Sequence, residues 1–195
     1  MRQNRLGKLF EVVLFRNVVD PFSHYIVAYA AGRKANVSLN KMRALTLAAV
    51  IPDIDGFSIF MGIQAFHDIH GGPVHSFLIG IVLALVITLG IYIYSKENVA
   101  LCAFSGVFLH FALDVPNTLG YTRATDGLFY FWPFSDFAID LQNHVPDAAI
   151  WHIVVISTIF ILCMVFFLLL VRKGEYAWRI WLDERRFLKK KAQNK

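Results

Sequence analysis

Apolar residues in this chain come in long runs rather than in the alternations of a sheet or the stripes of a soluble helix. The clearest run, Ala149 to Val171, is long enough to cross a hydrocarbon core of roughly 30 Å, and Arg172-Lys173 stop it. A second, Pro73 to Ser95, follows the breaker pair Gly71-Gly72, and Pro73 suits a first helical position. A third, Asn98 to Val115, ends at Pro116. A fourth, Met42 to Met61, is interrupted by Ile51-Pro52-Asp53-Ile54-Asp55-Gly56. Phe22 to Ala31 is too short to cross alone and is expected to pair with Phe10 to Val19 in a bent or re-entrant element. The pattern predicts an all-α, polytopic membrane protein with four to five membrane-embedded segments, one of them a broken helix.

Composition agrees. Of 195 residues, 57% are hydrophobic and only 17% charged, where a soluble domain carries about 25% charged. The net charge of +5 is unevenly placed. Arg2, Arg5, Lys8 and Arg16 crowd the start, and Arg33, Lys34, Lys41 and Arg43 the next polar stretch. Arg172, Lys173, Arg179, Arg185, Arg186, Lys189, Lys190, Lys191 and Lys195 crowd the end. Between Val115 and Val145 acids prevail, with Asp126, Asp136 and Asp140 against Arg123. Under the positive-inside rule the tail is cytoplasmic, residues 116 to 148 and the loop Gly62 to Gly72 lie outside, and Lys96 and Arg33 to Arg43 lie inside. An inner-membrane, multi-pass protein is the expectation, with membrane lipids as partners. No reader motif or aromatic interleaving accompanies the charge, so no nucleic-acid partner is expected. Residues 1–173 are expected to form the membrane domain. Residues 174–195 form a basic amphipathic tail in which Tyr176, Trp178, Trp181 and Phe187 suit the interface. Glu11 and Arg16 interrupt the first apolar stretch, so a removable signal peptide is not expected. Cys102 and Cys163 lie in apolar runs and read as inert thiols.

Chemistry enters with the acids. An unpaired carboxylate in an apolar medium is costly, and intramembrane acids have partners. On an α-helix Asp53 and Asp55 would point roughly 200° apart, whereas in an extended stretch they share a face. Pro52 and Gly56 favour an unwound stretch that aims both one way, tolerated at membrane depth only against protein or a water-filled cavity. His110 and Asp114, at i and i+4, lie on one helix face as a chelating pair. His70 sits in the Gly-Gly-Pro loop, His75 is expected in the first turn of the next helix, and His24 opens its own segment. These groups can converge in one cavity. Imidazole plus carboxylate suits one or two divalent ions, zinc first, with manganese or iron as alternatives. The expected ligands are His24, Asp53, Asp55, His70, His110 and Asp114; His75, Asp55 and His24 are the acid/base candidates. His152 reads as a hydrogen-bonded core residue, His144 as surface, Ser76 as a cap or a donor behind the site, and His67 and Asp68 as less favoured ligands.

The order of these motifs resembles the YdjM-like family of predicted membrane-bound metal-dependent hydrolases. The matching stretches are His24, Ile51-Pro52-Asp53-Ile54-Asp55, His70-Gly71-Gly72-Pro73-Val74-His75-Ser76, His110 to Asp114, and Trp132-Pro133-Phe134-Ser135. They cover roughly residues 20 to 136. That family is similar, more distantly, to zinc-dependent phospholipase C and related nucleases. The resemblance implies hydrolysis, of a phosphoester or lipid-like substrate, by a metal-activated water. The family pattern often has Arg where Gly71 stands and Thr where Val74 stands, which bears on substrate and activity. The same Asp/His set also suits an ion- or proton-coupled transporter, the alternative reading.

Overall fold

A computed structural model describes residues 21–62, 75–120, 128–135 and 137–182. It contains five α-helices: α1 (Pro21–Lys34), α2 (Leu39–Val50), α3 (Phe77–Ser95), α4 (Ala100–Asp114) and α5 (Ala148–Arg172). Shorter 3₁₀ helices follow α2 (Ile51–Met61), α4 (Val115–Gly120) and α5 (Ala177–Trp181). The described residues hold no named strand, only an isolated bridge between Leu128 and Ile139. Among the described residues, three helices are long and apolar enough to cross a membrane: Phe77–Ser95, Ala100–Leu119 and Ala148–Arg172. At about 1.5 Å per residue, α1 and α2 are only roughly 20 Å long.

Local chemistry sets the helix ends. Ser38 caps α2 by accepting from the Lys41 amide (3.3 Å), and its hydroxyl and Asn40 both donate to Glu97 in the connection between α3 and α4. Ser76 caps α3 by accepting from Ile79 N (3.3 Å). That cap corrects one expectation: the helix starts at Phe77, so His75 precedes it instead of occupying its first turn. Pro116 does not stop the third span outright. The chain tightens into the 3₁₀ turn Val115–Gly120, where a proline near the start loses no needed donor. α5 ends in a Schellman motif: Gly174 is left-handed (φ +68°), Glu175 N donates to Leu170 O and Gly174 N to Val171 O, each at 2.8 Å.

Small residues bring the helices together. A Cβ built on Gly106 would stand 2.4 Å from the Leu45 carbonyl and 2.8 Å from Ala48 Cβ, so α4 lies directly on the α2 backbone. Ala44, Ala48, Ala84 and Ala103 are fully buried in the same core. Close approach through Gly and Ala is how helices pack where lipid supplies no hydrophobic drive.

Basic residues gather at one end. Arg33 pairs with Glu175 (Nη2–Oε1 3.1 Å), and Arg43 Nε donates to the Ile180 carbonyl (2.7 Å). Tyr25 donates to the Ala177 carbonyl (3.0 Å) and accepts from Trp181 Nε1 (3.2 Å). Among the described residues, the tail therefore folds back along α1 and α2 as a short 3₁₀ helix. Phe187 and the last lysines lie outside the described residues, as do Phe10 to Val19.

Candidate metal centre

Four elements meet at one level. His24 is in the first turn of α1, Asp53 and Asp55 in the 3₁₀ helix after α2, His75 just before α3, and His110 and Asp114 in the last turns of α4. All six side chains are buried. His24 lies nine residues before Arg33, and His110 ten residues after Ala100. Cys163, whose sulfur is 3.9 Å from the Ser23 carbonyl, lies nine residues before Arg172. Each interval corresponds to about 14–15 Å of rise. The cluster thus sits about half a hydrocarbon thickness from the basic end.

His24 Nε2 is 3.3 Å from Asp114 Oδ1 and 3.7 Å from Asp53 Oδ2. His110 Nε2 is 3.0 Å from Asp114 Oδ2 and 3.8 Å from Asp53 Oδ1. One donor atom from each of these four residues lies within 4.8 Å of all the others. Around a tetrahedral ion with bonds of about 2.0–2.1 Å, neighbouring donors stand roughly 3.3–3.4 Å apart. The observed spacings bracket that value.

Hydrogen bonding decides what these atoms are for. Both oxygens of Asp53, Oδ2 of Asp114, both ring nitrogens of His24 and Nε2 of His110 are buried without a hydrogen-bond partner among the described residues. Buried carboxylates in that condition carry a large desolvation cost unless a positive charge offsets it. His110 Nδ1 lies 2.9 Å from the Ala49 carbonyl. A carbonyl only accepts, so Nδ1 holds the proton and Nε2 turns its lone pair to the carboxylates. A backbone carbonyl behind one ring nitrogen, with the other aimed at a shared point, is the arrangement of a metal-ligating histidine. Asn117 Nδ2 donates to Asp114 Oδ1 (3.1 Å) from behind. The described residues therefore form a buried His/Asp group that fits a metal ion.

The sequence expectations fare unevenly. His24, Asp53, His110 and Asp114 come together. His75 joins them: its Nε2 is 3.6 Å from both Asp53 Oδ1 and Asp114 Oδ2. Asp55 stands one layer back, with Oδ2 3.5 Å from His75 Nδ1. The stretch that carries the two acids is unwound from α but not extended. It is a 3₁₀ helix, with about 120° per residue, so Asp53 and Asp55 diverge around its axis, and His75 stands beside both. His70, His67, Asp68, Gly71 and Val74 lie outside the described residues. His152, near the start of α5 and eleven residues from Cys163, is buried as a core residue, and its Nε2 has no hydrogen-bond partner among the described residues. His144 is exposed, as expected of a surface residue, and Ser76 is the cap expected. Sequence reasoning missed the Ala49 carbonyl, which no side-chain pattern reveals, and Asn117, whose one signal is its place three residues after Asp114.

The model of the YdjM inner membrane protein family matches residues 19–182, a stretch that contains every residue of the cluster. Among curated proteins and among solved structures nothing matches the chain significantly. With most of its length under that match, and with apolar helices able to cross a bilayer, the chain is a membrane protein belonging to the YdjM inner membrane protein family.

Proposed function

We propose that this protein is a membrane-bound, metal-dependent hydrolase acting on a phosphoester or lipid-like substrate. The observation that carries the reading is the convergence of four buried donors, His24, Asp53, His110 and Asp114, with His110 oriented by the Ala49 carbonyl. These four residues would hold a divalent ion, with zinc the first choice for the donor set and manganese or iron the alternatives. Such an ion supplies Lewis acidity, lowering the pKa of water toward neutrality and polarising an ester or phosphoryl oxygen. The chain's own part is geometric and electrostatic. Asp53 and Asp114 provide the negative charge, α2 fixes the His110 tautomer, and burial keeps bulk water from competing.

The lipid-like substrate class rests on surroundings. The 3₁₀ helix bearing Asp53 and Asp55 turns Ile54, Phe57, Phe60 and Met61 outward, all exposed. A molecule approaching along that apolar surface arrives beside the acids. In keeping with the loop charges, the tail and the basic end face the cytoplasm.

The depth of the cluster, about 14–15 Å from the basic end, keeps the transporter reading in play, since intramembrane Asp/His sets also mark ion pathways. One experiment separates the two. Purified protein, supplied with zinc or manganese, is screened for phosphodiester and lipid-ester turnover beside Asp53→Asn. Turnover that drops to background in the variant supports the hydrolase. Metal without turnover, together with ion-coupled uptake by proteoliposomes, supports transport instead.

A further inference from the structure

The stretch Trp132-Pro133-Phe134-Ser135 takes no part in the metal cluster, yet it is held beside it in a compact series of turns. At one end the Tyr130 hydroxyl donates to the carbonyl of Phe111, the residue after His110. The amide of Phe77, two residues after His75, donates to the Tyr130 carbonyl (2.8 Å). At the other end the Leu141 amide donates to Thr118 Oγ1 (3.2 Å). Phe111 and Thr118 lie about 16 and 27 Å along the helix from Ala100, so both anchors fall in the leaflet opposite the basic end. Phe131, Trp132, Phe134 and Phe137 are all exposed, Phe134 by 83%. Their rings continue an apolar surface. Phe131 stands 5.5 Å from Phe77 and 6.3 Å from Phe137 between ring centroids. Phe77 in turn opens the outward face of α3, where Leu78, Ile81 and Leu85 are exposed.

We propose that the segment from Phe131 to Phe137 is a membrane seat, its aromatic side chains resting among the glycerol and upper acyl groups of lipids in the leaflet opposite the basic end. Backbone can enter that zone only with its donors satisfied. Trp132 N donates to Phe129 O (3.1 Å), Phe134 N to Phe131 O (2.8 Å), Ser135 N to Phe131 O (3.2 Å) and Phe137 N to Ser135 Oγ (3.1 Å). Pro133 has no N–H to satisfy. Every described amide from Trp132 to Phe137 is thus bonded locally or absent. Charge sets the depth. Asp136 is the one charged residue in the sequence from 128 to 139, which suits the headgroup boundary and not the hydrocarbon centre. Tryptophan prefers that same boundary. The last span marks it independently, since the exposed Trp151 lies twenty-one residues before Arg172, roughly 31 Å or one hydrocarbon thickness along α5. The seat requires neither a bound ion nor hydrolysis, so it stands apart from the metal reading.

The test is tryptophan quenching on the full chain reconstituted into phosphatidylcholine vesicles. Trp151→Phe, Trp178→Phe and Trp181→Phe together leave Trp132 as the one indole. Lipids brominated near the glycerol end should quench Trp132 more strongly than lipids brominated near the chain end. They should also quench it more strongly than iodide present on both sides of the vesicle. Iodide quenching as efficient as that of free indole in water, with none from brominated lipid, would overturn the seat and place the segment in solvent. Strongest quenching from chain-end bromine would overturn it too, by placing the segment in the hydrocarbon centre. So would shielding from both quenchers, which would mean that a second copy or another protein covers these rings. If the triple variant does not fold, the same contrast is read as the difference between wild type and Trp132→Phe, and the same outcomes decide.

Discussion

Asp53 brings two carboxylate oxygens into a buried space where, among the described residues, no group donates to them, and Asp114 adds a third. Each is tolerable only with a positive charge between them. Asp53→Asn and Asp114→Asn are therefore expected to lose bound metal, lowering affinity by at least about two orders of magnitude, as isothermal or spectroscopic titration would read. His152→Leu is the opposite case. Its Nε2 is buried without a hydrogen-bond partner among the described residues, and it lies eleven residues along α5 from the level of Ser23. Replacing it should leave metal binding unchanged and stability unchanged or improved by up to about 1 kcal/mol, measured by thermal unfolding in detergent. A loss of more than that would mean that His152 has a role the cluster does not explain. At this scale the sequence was legible wherever spacing alone dictates geometry. His110 and Asp114 at i and i+4 must converge on a helix. Asp53 and Asp55 were not, because Pro52 and Gly56 are compatible with an extended strand or a 3₁₀ turn, and the two conformations send the second carboxylate to different partners.

Elements matter because the His110 orientation depends on how α4 lies on α2. Gly106 is one turn before His110 and on the same face, and a Cβ there would meet the Leu45 carbonyl at 2.4 Å and the Ala49 amide at 3.1 Å. Backbone cannot yield as a flexible side chain can. Gly106→Ala should therefore part the two helices, cost about 1–3 kcal/mol, and weaken metal binding by disturbing the Ala49–His110 hydrogen bond. Gly90, with nothing within 4 Å of a built Cβ, is the control: Gly90→Ala should be neutral or stabilising by up to about 1 kcal/mol. Equal effects at the two positions would contradict the close α2–α4 contact. The Ala49 carbonyl shows why such support escapes sequence analysis. Every residue carries a carbonyl, and only the register of two packed helices selects the one behind a given imidazole. The long apolar elements, in contrast, were readable as runs, with their ends displaced by a few residues where a cap such as Ser76, or a 3₁₀ turn through Pro116, set the boundary.

For the whole molecule, an ion held by this cluster would link α1, the 3₁₀ helix, the start of α3 and α4. Chelation should therefore lower the unfolding temperature and loosen all four elements, while leaving the contacts of the basic end, Arg33–Glu175 and Arg43–Ile180, largely in place. Binding must also weaken in acid. Protons compete for the histidine nitrogens and the carboxylates, so affinity should fall as the solution is acidified and recover on return to neutrality. Affinity rising in acid would contradict histidine ligation. The overall plan, apolar runs with basic residues at one end, could be read from composition alone, because lipid imposes it on any chain. The bundle's point of convergence could not, since it depends on which helix ends meet. The most direct check on the central claim is the metal content of the purified full chain by elemental analysis, wild type beside Asp53→Asn, after growth in metal-supplemented medium. The account predicts one transition-metal ion per wild-type chain and essentially none in the variant. A wild-type chain without bound metal, or a variant that retains it fully, would contradict it.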